Sequence, residues 1–214
     1  MERLLPEDVA SQIKELLAKM VNDVTVVYFT DNVSLYTAET EEFLKEIAEL
    51  NSKIHLEVKD VIKDKDEVAK YEIKLVPSTV LLDKDGNYSR IKFNGIPAGH
   101  EINSFLAALL EVSGIKSQML SDENLKKIQN IDKSVDIKIF VTLSCPHCPG
   151  AVQNANRIAL NNKNVKAQMI EANTFGDLSQ KYGVESVPKI VINDKVEFVG
   201  DQPIEKFLEA ISRA

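Results

Sequence analysis

Leu143-Ser144-Cys145-Pro146-His147-Cys148-Pro149 holds both cysteines of this 214-residue chain. Two cysteines one helical turn apart, with none elsewhere, read as a redox pair. Five apolar and β-branched positions precede them in Val135-Asp136-Ile137-Lys138-Ile139-Phe140-Val141, which reads as a strand. Pro146 suits the start of a helix, where its missing N–H costs nothing. The stretch therefore reads strand, CxxC, helix. Moved back by 111 positions it is found again, with Ser34-Leu35-Tyr36-Thr37 in place of the CxxC.

The repeat holds its register for about 60 residues. Val24 meets Val135, Val26 meets Ile137 and Phe29 meets Phe140. Ile47 meets Ile158, Tyr71 meets Tyr182, Val76 meets Val187 and Pro77 meets Pro188. Afterwards the first copy has the longer turn, Asp83-Lys84-Asp85-Gly86-Asn87, against Asn193-Asp194 in the second. Each copy reads helix, strand, helix, strand, short helix, two strands, helix. The leading helix is expected over Leu4–Met20 and again over Asp122–Ile131. The next helix should hold Ser34–Thr37 or Cys145–Cys148 in its first turn. The closing helix should run Ile102–Val112 or Ile204–Ile211. In the first copy Phe43, Leu44, Ile47 and Leu50 recur with the spacing of a core-facing stripe.

Helices alternating with strands imply an α/β class, a small central mixed sheet in each copy with helices on both faces. Two units follow, 1–113 and 118–214, joined at Ser113-Gly114-Ile115-Lys116-Ser117. A link of that length implies packed units rather than beads on a string.

Composition narrows the function. Hydrophobic residues make up 44% and charged residues 28%, with a net charge of −7. That balance disfavours nucleic acid, which needs a basic footprint, and supplies no polybasic membrane patch. Met1-Glu2-Arg3-Leu4-Leu5-Pro6 meets charge and proline at once, so no signal peptide is read. A cytoplasmic location is the expectation, and there a CxxC is more often catalytic, redox-sensing or metal-binding than a structural disulfide. Zinc needs about four ligands. Only His55, His100 and His147 could join the cysteines, so no metal is expected. Gly-x-Gly-x-x-Gly does not occur, so no cofactor is expected of this chain itself.

With these residues the chain resembles the thioredoxin fold, in which a proline like Pro188 is cis and lies against the CxxC. As a tandem it resembles the protein disulfide oxidoreductases of thermophiles, which usually keep CxxC in both units. It is more similar to the N-terminal region of the alkyl hydroperoxide reductase flavoprotein subunit. That region is also a tandem thioredoxin-like module without cysteines in its first unit. Two stretches carry this likeness. One is Phe93-Asn94-Gly95-Ile96-Pro97-Ala98-Gly99-His100-Glu101 with Ser104. The other is Leu143 to Pro149 with Val152-Gln153, Thr174-Phe175 and Val187-Pro188. The middle pair departs from the family's frequent His-Asn, and the flavin- and nicotinamide-binding portion is absent.

A helix N-terminus stabilises a thiolate by about 0.3–1 kcal/mol, up to ~2 when partly buried. The form that attacks is the thiolate, so Cys145 reads as nucleophile and Cys148 as resolving thiol. A protonated His147 would favour that thiolate. The resemblance implies that Val187 and Pro188 shape the substrate groove; an ordinary strand-edge proline is the other reading. It also implies that Glu101 approaches the CxxC from the first unit and cycles a proton with Cys148. An acid at the start of the helix near Ile102 is the alternative. His100 reads as structural, and Ser34 and Thr37 as vestigial.

The implied function is a dithiol–disulfide relay from a flavoprotein reductase, of thioredoxin reductase or alkyl hydroperoxide reductase type, to a peroxiredoxin-type disulfide. A general protein disulfide reductase or isomerase is the alternative. Pro-His is also the middle pair of the strongly oxidising DsbA-type proteins. A non-catalytic interaction module is a third reading.

Overall fold

The computed structural model describes residues 4–117 and 120–214. Residues 1–3, at the start of the first expected unit, and 118–119, where the second was expected to begin, lie outside the described residues. The first copy contains α1 (Glu7–Leu17), β1 (Val24–Thr30), α2 (Thr37–Glu49), β2 (Ile54–Asp60), α3 (Lys65–Lys70), β3 (Ser78–Leu82), β4 (Tyr88–Asn94) and α4 (Ile102–Val112). A 3-10 turn, Gly99–Glu101, precedes α4. The second contains α5 (Asp122–Gln129), β5 (Val135–Val141), α6 (Cys148–Asn161), β6 (Val165–Glu171), α7 (Gly176–Lys181), β7 (Lys189–Ile192), β8 (Val196–Val199) and α8 (Ile204–Arg213).

Local chemistry sets the ends. α1 starts later than expected because Pro6, with φ −55° and ψ 147°, holds extended backbone just ahead of Glu7, and it ends at Leu17, short of Met20. Ser121 caps α5, its hydroxyl accepting the Asn124 N–H at 3.2 Å. α2 and α6 begin at Thr37 and Cys148, later than expected, and these two residues stand at the 111-position shift. In the first copy, Asp31 accepts the N–H groups of Val33 and Ser34 at 3.1 and 2.8 Å, and Tyr36 is left-handed at φ 63°. That folds Ser34–Tyr36 into a loop. In the second, the Cys145 N–H donates to Thr142 O at 3.1 Å and closes a turn before the helix.

Each copy forms the small mixed sheet expected of it, and the two are joined edge to edge into one. Its order is β2-β1-β3-β4-β6-β5-β7-β8. β4 pairs in parallel with β6, Phe93 opposite Met169 and Asn94 opposite Ile170. In each copy the first strand pairs in parallel with the second and antiparallel with the third, and the third pairs antiparallel with the fourth. These pairings make β1 parallel to β5. The loops that leave both strands, one with Ser34 and one with Cys145, therefore emerge at the same end of the sheet.

Alternation along the strands divides the core. Val24, Val26 and Tyr28 of β1, and Val135, Ile137, Ile139 and Val141 of β5, point to one face, which is covered by the longer helices of both copies. Phe29 and Phe140 point to the other face, into two small clusters with Tyr71 and Tyr182. Phe93 and Phe105 meet edge to face at 5.2 Å beside the joining strands, both fully buried. A side chain of that size contributes ~1.5–3 kcal/mol by leaving water. α4 also packs on α6, where the buried pair Glu111–Arg157 closes at 2.9 Å.

The repeat reaches fine detail. Both Val76-Pro77 and Val187-Pro188 are cis. Glu72 and Gly183, the residues after Tyr71 and Tyr182, are left-handed at φ 52° and 57°. A buried lysine reaches each of these two turns. Lys92 Nζ donates to Glu72 O at 2.8 Å, and Lys189 Nζ to Tyr182 O at 2.7 Å. Among the described residues, no helix is long and apolar enough to cross a membrane.

Candidate active site

Cys145 and Cys148 are joined as a disulfide, with Cα atoms 5.5 Å apart. β5 delivers Cys145 at its carboxyl end, and α6 begins with Cys148. Cys145 is 9% exposed and Cys148 0%. The Cys148 N–H points at Cys145 Sγ at 3.1 Å, so a donor is in place for an anion formed there. The positive end of α6 lies behind it. Val187 O approaches Cys145 Sγ to 3.9 Å, beside cis-Pro188. Pro146 and His147 lie in the turn between the cysteines, with His147 at the N-cap of α6.

Cys145 sits at a rim, with Cys148 fully buried behind it. The recess of about 580 Å³ along the linker and the groove of about 670 Å³ between α5 and α8 are lined by none of Cys145, Cys148, Glu101 or Pro188. A shallow rim suits a disulfide presented by another protein better than an enclosed small molecule.

The first copy reaches this site through the stretch Phe93–Glu101. Asn94 Nδ2 donates to Met169 O at 3.1 Å. Gly95 turns away at φ 92°, where a Cβ would lie 2.7 Å from the Cβ of Glu171. Glu171 itself accepts the Thr174 N–H at 2.6 Å and its hydroxyl at 2.7 Å. The His100 N–H donates to Leu143 O at 2.9 Å. At Gly99, φ is 58° and a Cβ would fall 2.5 Å from the same carbonyl oxygen, so only glycine lets the segments come this close. The two stretches that carried the sequence resemblance meet at this seam.

Glu101 ends the turn. Its side chain is fully buried and makes no cap hydrogen bond to α4. Its turn packs on α6. One carboxyl oxygen is hydrogen-bonded to the Ser104 hydroxyl, and the other, Oε1, has no hydrogen-bond partner among the described residues. Burial pushes the carboxyl up to about 7, against the smaller lowering effect of Ser104.

The other predicted positions lie apart. Ser34 binds the Asp31 carboxylate through its hydroxyl. The Thr37 hydroxyl donates to Ser34 O at 2.9 Å. His55 pairs with Asp23 at 3.0 Å near the edge strand β2. Sequence reasoning missed Asp201, whose carboxylate lies over the first turn of α6. The signal open to it was Gly150, directly after the second cysteine and its proline.

A disulfide held between a strand end and a helix start, beside a cis-proline, defines a thiol–disulfide oxidoreductase of thioredoxin fold. A thioredoxin domain model matches residues 135–213. The N-terminal domain of the alkylhydroperoxide reductase AhpF from Enterococcus faecalis superposes with a TM-score of 0.91 at 36% identity, covering 97% of this chain and 99% of that one. A protein disulfide oxidoreductase from Aeropyrum pernix superposes at 0.89 with 31% identity, covering 98% of this chain and 93% of that one. The chain belongs to this family of tandem thioredoxin-fold proteins. The alkyl hydroperoxide reductase AhpF of Staphylococcus aureus (strain Mu50) is 27% identical over 208 residues, which are 97% of this chain and 38% of that protein. The chain thus spans under two fifths of the length of the curated relatives it matches.

Proposed function

We propose that this chain relays electrons from a flavoprotein disulfide reductase, of thioredoxin reductase or alkyl hydroperoxide reductase type, to the disulfide of a peroxiredoxin in the cytoplasm. The observation that carries the reading is the seam that sets Glu101 of the first copy against α6 of the second. A solitary thioredoxin unit has no such first copy. Residues 1–113 and 118–214 act as the two units, the first supplying the acid and the second the dithiol.

Cys145, the sulfur with access to solvent, attacks the partner disulfide as a thiolate and forms a mixed disulfide. Cys148 then displaces it, leaving Cys145–Cys148 oxidised and the partner with two thiolates, which solvent protonates. Glu101 takes the Cys148 proton as that thiol attacks and returns it when the pair is reduced again. A carboxyl near pH 7 is matched to that task. Val187 and Pro188 line the groove in which the partner strand lies.

The test is a trap. In Cys148→Ser, Cys145 stays bonded to its substrate after the first attack. A peroxiredoxin as the dominant adduct is the expected result. Adducts spread over many unrelated disulfide proteins would replace the reading with a general protein disulfide reductase. The likeness to the Aeropyrum pernix protein favours that second reading. A reduction potential near that of DsbA would rule out the reducing direction.

A further inference from the structure

The Pro-His pair between the cysteines lies beside a loop that bears on its charge. Gly200–Pro203, between β8 and α8, is tied to both active-site elements. The Gly200 N–H donates to Pro188 O at 2.8 Å. Asn154 Nδ2 of α6 donates to Gln202 O at 3.1 Å. Between these anchors Asp201 is laid over the first turn of α6. A Cβ on Gly150 would lie 2.3 Å from Asp201 Oδ2 and 2.7 Å from Oδ1. Glycine at that position is what lets the carboxylate settle there.

From this geometry we infer that Asp201 is a positioning residue, the counter-charge of His147, and that it restrains the oxidising influence of the Pro-His pair on Cys145. The inference rests on Cys145–Cys148 being a reducible pair and on neither partner's identity. Burial against the helix raises the Asp201 carboxyl, and the charge of His147 acts in the opposite direction. The charged groups of neighbouring elements are engaged elsewhere. Glu205 accepts from Asn124 at 2.7 Å, Lys206 pairs with Glu209 at 3.1 Å, and Lys189 with Glu197 at 3.0 Å. Glu101 faces α6 from the opposite copy.

A protonated His147 beside Cys145 stabilises the thiolate, and with it the reduced state. With His147 charged, Asp201 offsets that charge and adds a negative charge at the start of α6. That opposes the thiolate, favours the disulfide and lowers the potential. Reduction by glutathione breaks the Cys145–Cys148 bond, moves two electrons and leaves one glutathione disulfide. Of the two thiol protons given up, one stays on Cys148, and the other goes to solvent when Cys145 is a thiolate.

The experiment measures the glutathione equilibrium constant and the thiolate absorbance titration of Cys145 in Asp201→Asn, His147→Asn and the double variant. Asp201→Asn should shift the equilibrium toward the dithiol about three- to tenfold, tenfold being about 30 mV, and move the thiolate titration to lower pH. With His147 already replaced, more than half of that shift should vanish. Gly150→Ala, which displaces the carboxylate, should change the equilibrium in the same direction. Asp201→Glu, keeping the charge, should restore most of the original value. No shift in Asp201→Asn overturns the inference, and so does an equal shift with and without His147. Neither result bears on whether a peroxiredoxin is the substrate.

Discussion

The loops after β1 and β5 leave the same end of one sheet and precede helices at matching positions, and each copy carries a cis-proline at the matching position. They differ in what closes them. At Cys145 a covalent bond to Cys148 and the Cys148 N–H hold the sulfur at the rim. At Ser34 the Asp31 carboxylate gathers two backbone N–H groups and a hydroxyl. The first arrangement can be opened and closed by two electrons. The second is a self-satisfied polar turn with nothing to exchange. One scaffold thus positions chemistry in one copy, while the other copy is free to lend side chains across the seam.

The largest effect should follow from breaking the active side of that comparison. Cys145→Ser should reduce insulin-disulfide reduction to the background rate of the assay, because Cys148 is fully buried and the chain has no third cysteine. Retained turnover would move catalysis away from this pair.

The seam is the next target. Arg157 and Glu111 are each about nine-tenths buried at the side-chain level and bind at 2.9 Å. Glu111→Ala leaves the guanidinium uncompensated, which costs ~3–5 kcal/mol in buried pairs. Chemical denaturation should show a loss of that order. A loss below about 1 kcal/mol, the size of an exposed pair, would show that the two copies do not depend on this contact.

Glu101→Gln separates stability from rate. The carboxyl rises from 4.5 unfolded to about 7 folded, so the folded state holds its proton longer. Stability from this group is present below pH 4.5 and is lost as pH rises through 7. The amide removes that loss, so above pH 7 the variant should gain on the order of 2–3 kcal/mol. Dithiol exchange should slow about tenfold or more. Greater stability with an unchanged pH–rate profile would reduce Glu101 to a buried spectator.

Legibility followed the same division. The 111-position shift exposed the element order, the paired prolines and the twin loops, because each is encoded by side chains in local register; the cis form came from the resemblance, and for Pro188 alone. The Ile102–Val112 helix was read to the residue. The fusion of two sheets was not legible. β4 and β6 join through backbone groups, and an apolar edge strand looks the same whether it ends a sheet or continues one. The start of α2 was missed because Tyr36 adopts a left-handed conformation that its side chain does not advertise, and that of α6 because the backbone turn closed by the Cys145 N–H on Thr142 O precedes it. The nearness of Glu101 came from resemblance, since residues so far apart in sequence leave no spacing signal. Asp201 was invisible until Gly150 acquired a neighbour.

Ser34→Ala is the smallest change and the sharpest contrast with Cys145→Ser at the matching position. Activity should be unchanged. The cost should be ~0.5–1 kcal/mol, the range of one exposed hydrogen bond to a charged group after solvent competition. It should also depend on pH. Burial works to raise the Asp31 carboxyl, but the Ser34 hydroxyl and the N–H groups of Ser34 and Val33 outweigh it and hold it below 3.8. Asp31 therefore stabilises the fold above its ordinary value, and the benefit fades as acid protonates it. The difference between wild type and Ser34→Ala should be full at about pH 6 and shrink below about pH 4. A difference that persists at about pH 2.5, where the carboxyl is protonated, would mean that the hydroxyl acts through packing, and the silent loop would then owe its shape to something other than Asp31.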